Sequence, residues 1–564
     1  MQALRRTASV VLFPTIACLV AACEHTGLPT EPQSTVGVVP PVKDASFSGV
    51  VWWVDDDPSF STVPGGSCND PSYNTIQAAV GAAGPGDRIN VCPGTYTEQV
   101  AFIGTTKNDI QLRSTKRWEA IIKAPTPMAG TPQGQAIVLV SGAKNVTILA
   151  FTIAGPGSAC GSASIGYGIR VDAAGSTNPA DAGSANILGN HITDIRDAYE
   201  VNGQPCGTQN GMAVVVGQQY SHLEADTGPG KATIEGNVIE RYQKNGIVVG
   251  RAGSNAEIRA NRVFGYGETE NIAQNGIEVI NSATATIEHN FSSGHLYTPH
   301  TATPTGVLLF SAGAVEVNHN TVAKNDANVY AYNSVATTLV RRNKTRSATF
   351  DGIIVDLASN VTVQKNHTDK NGGPGIGLYE GAGSAGSNTI DDNQVKDNSN
   401  DFGSTPCLTP TVSCGGGIVL DDADGNTVSS NHIKNNGTLN TADNTDGIRV
   451  KAASNGNNIH DNHLKHNLTH DCHDDATPGS NTWTNNKGKT SMPAPLCSQD
   501  DDDTFEAESA YGWDPSYPWY ASFDGAADPE LDFASAYVGI DTDSILQLLP
   551  SIRLGSIVKR NVSP

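Results

Sequence analysis

The sequence predicts an all-β solenoid, one long rod of stacked strand-turn-strand coils, and three observations carry that prediction. First, parts of the chain return at a near-fixed interval: Gly352 to Gly375 is 23 residues, and so is Asn343 to Asn366. Second, each cycle opens on a Gly-apolar-x-apolar phrase such as Gly352-Ile353-Ile354-Val355. A polar bend follows, then a second short strand such as Val361-Thr362-Val363, then Asn-x-apolar or Asn-x-Thr. Third, the gaps hold Gly, Asn, Asp and Ser and have no heptad or helical periodicity, which favours strand coils over helical repeats. Segments this short cannot bury a face alone, so neighbouring cycles must stack into a continuous core.

The opening phrase recurs at Gly168, Gly211, Gly246, Gly276, Gly306, Gly375, Gly417 and Gly447, with an irregular copy, Asn328-Val-Tyr-Ala-Tyr, between Gly306 and Gly352. An asparagine beat runs Asn190, Asn237, Asn261, Asn290, Asn320, Asn343, Asn366, Asn393, Asn431, Asn462, Asn486. Asparagine tolerates the left-handed conformation of a tight bend, and its amide reaches the identical amide one coil above. These residues are read as scaffold.

From about Trp52 to Cys497 the repeats resemble the right-handed parallel β-helix proteins of the pectate-lyase-like superfamily. The resemblance implies a right-handed parallel β-helix with an N-terminal capping helix. That fold hosts lyases, hydrolases, esterases, epimerases and non-catalytic surface proteins alike, so it does not select an activity. Val50 to Asp57 reads as a first strand and Tyr73 to Ala83 as a short helix with Ile76, Ala79 and Val80 on one face. Gly86 to Tyr96 closely resembles the opening coil of these proteins, where a helix plugs the open end of the core. Its Gly-Asp and Pro-Gly are turn chemistry, not phosphate binding.

Four segments are expected: a signal peptide at 1–22, a spacer at 23–49, the β-helix at 50–499 and an acidic tail at 500–564. Arg5 and Arg6 followed by an apolar run mark export, and Val20-Ala21-Ala22-Cys23 resembles the bacterial lipobox, which implies lipidation of Cys23. The chain holds 35 basic and 57 acidic side chains, a net charge of −22. The tail supplies 13 of the acids against 3 basic residues. This balance argues against nucleic acid or anionic lipid as a partner of the body, and sits awkwardly with a polyanion unless a basic patch or a bridging cation intervenes. Membrane contact is therefore expected only through the lipid, and the protein is expected to be a monomer. With Cys18 in the signal and Cys23 lipidated, eight of the 10 cysteines remain. Pairing sequence neighbours gives Cys68–Cys92, Cys160–Cys206, Cys407–Cys414 and Cys472–Cys497, as suits an exported chain.

Insertions break the period at Gly155–Gly166, Asn202–Asn210, Gln218–Gly230 and Gly381–Gly416, where loops can wall a groove. Alternate side chains of each phrase point outward, so they form columns spaced about 4.8 Å along the rod. Arg170, Asp172, Glu278, Asp356, Tyr379, Asp421, Arg449 and Lys451 fall in this outward set, with Glu380 and Asp422 just past the strand. Asp356, Glu380, Asp421 and Asp422 are the candidate catalytic carboxyls. Asp356 and Asp421 stand two coils, or about 9.6 Å, apart, near the upper limit of roughly 6.5–9.5 Å for inverting glycoside hydrolysis. Asp421, Asp422 and Asp424 offer the hard oxygen ligands that Ca²⁺ takes, the one cofactor expected. Tyr379, Arg449 and Lys451 are candidate substrate contacts, the cations suiting a uronate carboxylate.

Arg449-Val450-Lys451 and Asn444-Thr445-Asp446 are similar to the Arg-Ile-Lys and Asn-Thr-Asp of polygalacturonases. Here the two overlap in one strand, and no Gly-His-Gly occurs. Asp446-Gly447 then reads as a bend. A second cluster, His460, His463, His466, His470, Asp471, His473, Asp474 and Asp475, offers imidazole and carboxylate to a transition metal, and resembles a copper-delivery periplasmic β-helix. The leading expectation is an envelope-anchored or secreted β-helix that binds an extracellular, acidic polysaccharide and cleaves it by lyase or hydrolase chemistry. The alternative is a non-catalytic surface rod for adhesion or spacing.

Overall fold

The computed structural model describes residues 49–498 apart from 57–58, 129–134, 161–164, 200–201, 219–226, 380–385, 400–414 and 438–444. The expected signal peptide, Cys23, most of the spacer, Glu380, the Cys407–Cys414 pair and the acidic tail lie outside the described residues. Every named strand lies in one of three parallel sheets, of 15, 14 and 13 strands. The Gly-apolar-x-apolar phrases make the 14-stranded sheet, as at Ile353–Asp356. The second short strands, such as Val361–Gln364, make the 15-stranded sheet. The segment after each asparagine is itself a strand, as at His367–Asp369, and these build the 13-stranded sheet. The chain is thus a parallel β-helix with three strands per coil. Ile376 pairs directly with Ile418, so the 42 residues from Gly375 to Gly417 are a single coil carrying a long insertion.

The alternation within each strand fixes what lies inside. Ile353, Ile376, Ile418 and Ile448 stack in register along the 14-stranded sheet and are fully buried. Val340, Val363, Ile390, Val428 and Ile459 do the same on the 15-stranded sheet. Close stacking also explains the phrase glycine. A Cβ on Gly375 would lie 2.5 Å from Thr368 Oγ1 and 2.6 Å from Val395 Cγ1.

The asparagine beat is a continuous ladder. Asn343 Nδ2 donates to Asn366 Oδ1 on the next coil (3.0 Å) and to Val317 O (2.8 Å), while its Oδ1 accepts from the backbone N–H and Nδ2 of Asn320 (2.9 and 3.0 Å). Both donors and both lone pairs of the amide are therefore used. One expectation is corrected: the asparagines are not the left-handed residues. That conformation belongs to the residue before each, including Ala260 (φ 54°), Arg342 (φ 53°) and Lys365 (φ 57°). Asparagine is used for its amide, and the bend tolerates ordinary side chains because the ladder over-determines it.

At the N-terminal end, helix Ile76–Ala82 buries Ile76, Ala79 and Val80 against the first coils, as its spacing predicts. Glu98 accepts from the backbone N–H groups of Ile76 and Gln77, both at 2.8 Å, which occupies two free donors of the first turn. Asp87 likewise serves a turn, accepting from Val50 N–H, Gly84 N–H and Trp52 Nε1. Three of the expected disulfides are formed, Cys68–Cys92, Cys160–Cys206 and Cys472–Cys497. Such bonds are those of a chain that matures in an oxidising compartment.

Removing one rung should cost more than relaxing one bend. Asn343→Ala strands buried partners on two coils and should lower unfolding free energy by about 3 kcal/mol, whereas Lys365→Gly, trading left-handed strain for unfolded-state entropy, should shift it by less than about 1 kcal/mol. Urea melts of the two variants check this ordering.

Candidate functional site

The outer face of the 14-stranded sheet changes character along the rod. Toward the N-terminus it is covered: Leu139, Tyr167, Met212, Val215, Val248 and Ile280 form a second apolar cluster outside the solenoid core. Arg170, Asp172 and Glu278, expected in solvated columns, are buried there. Arg170 pairs with Asp172 at 2.9 Å, and Asn245 hydrogen-bonds Glu278. The 202–210 insertion folds against the neighbouring 13-stranded sheet, its Gly203 and Pro205 carbonyls accepting from Tyr266 and Asn271. Past Ile280 the same column continues as Phe310, Tyr332, Asp356, Tyr379 and Asp421, one residue per coil. Phe310 is 42% exposed and stacks on Tyr332 at 5.1 Å between ring centroids.

Two carboxyl–phenol pairs lie on this face. Tyr330 donates its hydroxyl to Asp356 Oδ2 (2.6 Å) from the preceding coil. Tyr379 donates to Asp351 Oδ2 (2.7 Å), and its ring lies flat over Gly377, where a Cβ would meet the ring and hydroxyl at 2.5 Å and Asp351 Oδ2 at 2.4 Å. Glycine is required here by close approach. Burial pushes the Asp351 carboxyl up to about 7, the Tyr379 hydrogen bond drawing it partly back. Burial also raises Asp356, against the lowering effect of Tyr330. Both phenols are held far above their usual range, first by burial and then by the neighbouring acids, so they serve as fixed donors. Asp351 is 2% exposed and positions Tyr379; Asp356 is the half-buried carboxyl that a ligand can reach.

The expected column of Asp356, Tyr379 and Asp421 is therefore present on three successive coils. The expected cations are engaged: Lys451 Nζ pairs with Asp421 at 2.8 Å, and Arg449 with Asp475 at 2.7 Å. Asp422 lies in the following turn with φ 54°, its carboxyl raised by burial and by Asp424 and Asp421. Asp424 Oδ1 accepts from the Asn455 N–H at 2.6 Å. Sequence reasoning missed Asp351, Tyr330, Tyr332 and Phe310. The two tyrosines had a signal, because Asn328-Val-Tyr-Ala-Tyr places both at outward positions of the irregular phrase. Asp351 precedes its strand and had none.

The histidine cluster divides. His460 and His463 sit in strands of the 15- and 13-stranded sheets and His466 in a bend. His470 and His473 instead converge on Asp446, which is fully buried and not the simple bend its Asp-Gly sequence suggests.

Comparison with known proteins agrees with the architecture. The family model described as "Right handed beta helix region" matches residues 268–406. No curated protein matches the chain. Among solved structures, the A-module of the mannuronan C-5 epimerase AlgE6 of Azotobacter vinelandii is 16% identical, covering 74% of this chain and 95% of its own, with a TM-score of 0.28. DFA-IIIase from Arthrobacter chlorophenolicus A6 is 16% identical over 73% of this chain and 94% of its own, with a TM-score of 0.42. The periplasmic alginate epimerase AlgG is 11% identical over 70% and 78%, with a TM-score of 0.32. At these values the three structures carry no inference about this chain's site or activity.

The raised Asp351 carboxyl has a consequence for stability. The folded protein holds this proton more tightly than the unfolded chain, whose carboxyl lies near 3.8, so its contribution is complete below about pH 4 and is lost as pH rises through about 7. Asp351→Asn keeps an acceptor for Tyr379 and should flatten the decline between pH 4 and 8, by up to about 4 kcal/mol. Paired urea melts of wild type and variant across that range measure the difference.

Proposed function

We propose that the open part of this face, from Phe310 to Lys451, binds an extended glycan, and that Asp356 performs acid–base chemistry on it. The observation that carries the reading is the single column in which the exposed Phe310 and half-buried Tyr332 are followed, coil by coil, by Asp356, Tyr379 and Asp421. Ring faces carry negative π density that suits the C–H faces of sugar rings, and carboxyl and phenol groups pair with sugar hydroxyls. A carboxyl raised by burial and fixed by a phenol is suited to protonate a glycosidic oxygen, with Asp421 about two coils away as its partner. Arg449 and Lys451 would meet a uronate carboxylate by exchanging their present acidic partners, and a calcium ion at Asp421, Asp422 and Asp424 would take the place of Lys451. The negative charge of the whole chain makes such a cation the requirement for an acidic polymer. Export is supported by the disulfides, and attachment to the envelope through a lipid on Cys23 is part of the same proposal.

The Asp421–Lys451 ion pair favours a second reading, in which this face is a static adhesion surface. A turnover screen on pectate, alginate and neutral glycans, with Ca²⁺ and with chelator, separates the two. Unsaturated products that vanish with chelator mean a calcium-dependent lyase, new reducing ends alone mean a hydrolase, and silence from the folded protein means the rod. On any active substrate, Asp356→Asn should lower kcat by about 10²- to 10⁴-fold with binding retained. Unchanged turnover in that variant would remove Asp356 from the mechanism.

A further inference from the structure

We propose that Asp446, His470 and His473 hold a divalent first-row transition metal ion of the zinc type, at a site whose ligands are distinct from the residues assigned to the glycan above and which adjoins that face at Arg449. The coil register assembles it. Ile448 pairs with Cys472 and Arg449 with His473, so Asp446 and His470, each two residues earlier, stand on adjacent coils. His473 Nδ1 lies 2.9 Å from Asp446 Oδ2 and His470 Nδ1 lies 3.2 Å from Asp446 Oδ1. One ligand atom from each of the three residues falls within 4.8 Å of the others. Ligands at about 2.0–2.1 Å from a tetrahedral ion stand roughly 3.3 Å from one another, so small movements of the two imidazoles would close the set around an ion.

The surroundings fit the same role. A ligating imidazole ordinarily gives its other nitrogen to a carboxylate that fixes ring orientation; the Asp475 carboxylate stands in that place, its Oδ1 2.9 Å from His473 Nε2, although the present ring orientation does not align the two as a hydrogen bond. Asp475 is in turn held by Arg449 at 2.7 Å. Asp446 and Asp475 against Arg449 leave one negative charge among these side chains, so a divalent ion meets no excess of positive charge. Asp446 and His473 are buried while the His470 side chain is 24% exposed, which gives the ion a route in and a side open for a fourth ligand. Imidazole with a single carboxylate selects zinc, copper or nickel over calcium, so the site differs in chemistry from the Asp421, Asp422 and Asp424 group.

The test uses the full chain stripped with chelator. Zn²⁺ titrated by calorimetry should bind at one equivalent, and Co²⁺ should give the visible absorption of a four-coordinate nitrogen–oxygen site. His470→Ala and His473→Gln should each weaken binding at least tenfold, with near-ultraviolet circular dichroism reporting that the fold persists. His460→Ala and His463→Ala should bind as wild type does. No binding by the folded wild type, or undiminished affinity in a folded His470→Ala, would overturn the proposal and leave the three residues as a hydrogen-bonded network. Binding lost instead in the His460 or His463 variants would overturn it in favour of surface histidines.

Discussion

The structure depends on one constraint, that each coil must lie about 4.8 Å from the next along its whole perimeter. At the strands this is met by backbone pairing and by buried branched side chains in register. At the corner the chain must turn with its polar groups inside the rod, and here the asparagine ladder is decisive. Each amide satisfies its own coil and the one beside it, so the corner is closed by the same repeat that stacks the sheets. The phrase glycines answer the same demand sterically, giving up a Cβ where the next coil's side chains pass.

The chemistry of the outer face follows from that spacing. Residues two apart on a strand and one coil apart along the rod meet without any loop to arrange them, which is how Tyr330 reaches Asp356 and Arg449 reaches Asp475. Tyr379 is the exception that shows the rule: its strand position holds its place in the column, while its side chain leans across the gap left by Gly377 and its hydroxyl reaches a carboxyl outside the strand. The missing side chain at Gly377 thus governs where the phenol points. Along the same face the covered apolar half gives way to an open half of rings and acids, so the rod has a direction that its repeating backbone does not.

Much of this was legible in the sequence because the governing distances are periodic. The Gly-apolar-x-apolar phrase placed Asp356, Tyr379 and Asp421 in one column, the asparagine beat marked the corner, and the three cysteine pairs among the described residues joined as their spacing suggested. What escaped was set by contacts that no period encodes. Asp351 lies before its strand and matters through a hydrogen bond from a residue of the next coil. Arg170, Asp172 and Glu278 follow the outward alternation, yet they are buried on a face where their neighbours in register, such as Leu139, Val215 and Val248, are apolar. The left-handed position could not be read because glycine fills it only before Asn190 and Asn237, and elsewhere it is occupied by Ala, Arg, Lys, His, Ser, Asp or Asn. Asp446-Gly447 looks like any other turn dipeptide until the coil bearing His470 and His473 is laid beside it.

The freedom of that left-handed position bears on how such a chain can change over time. The corner asks for one amide and leaves the residue before it nearly unspecified; the strands ask only for inward apolar groups. Most outward positions are therefore free to diverge while the coil persists, and two rods can share every turn of their backbone with little common sequence. A new binding face can arise by rewriting one column, without any renegotiation of the fold beneath it.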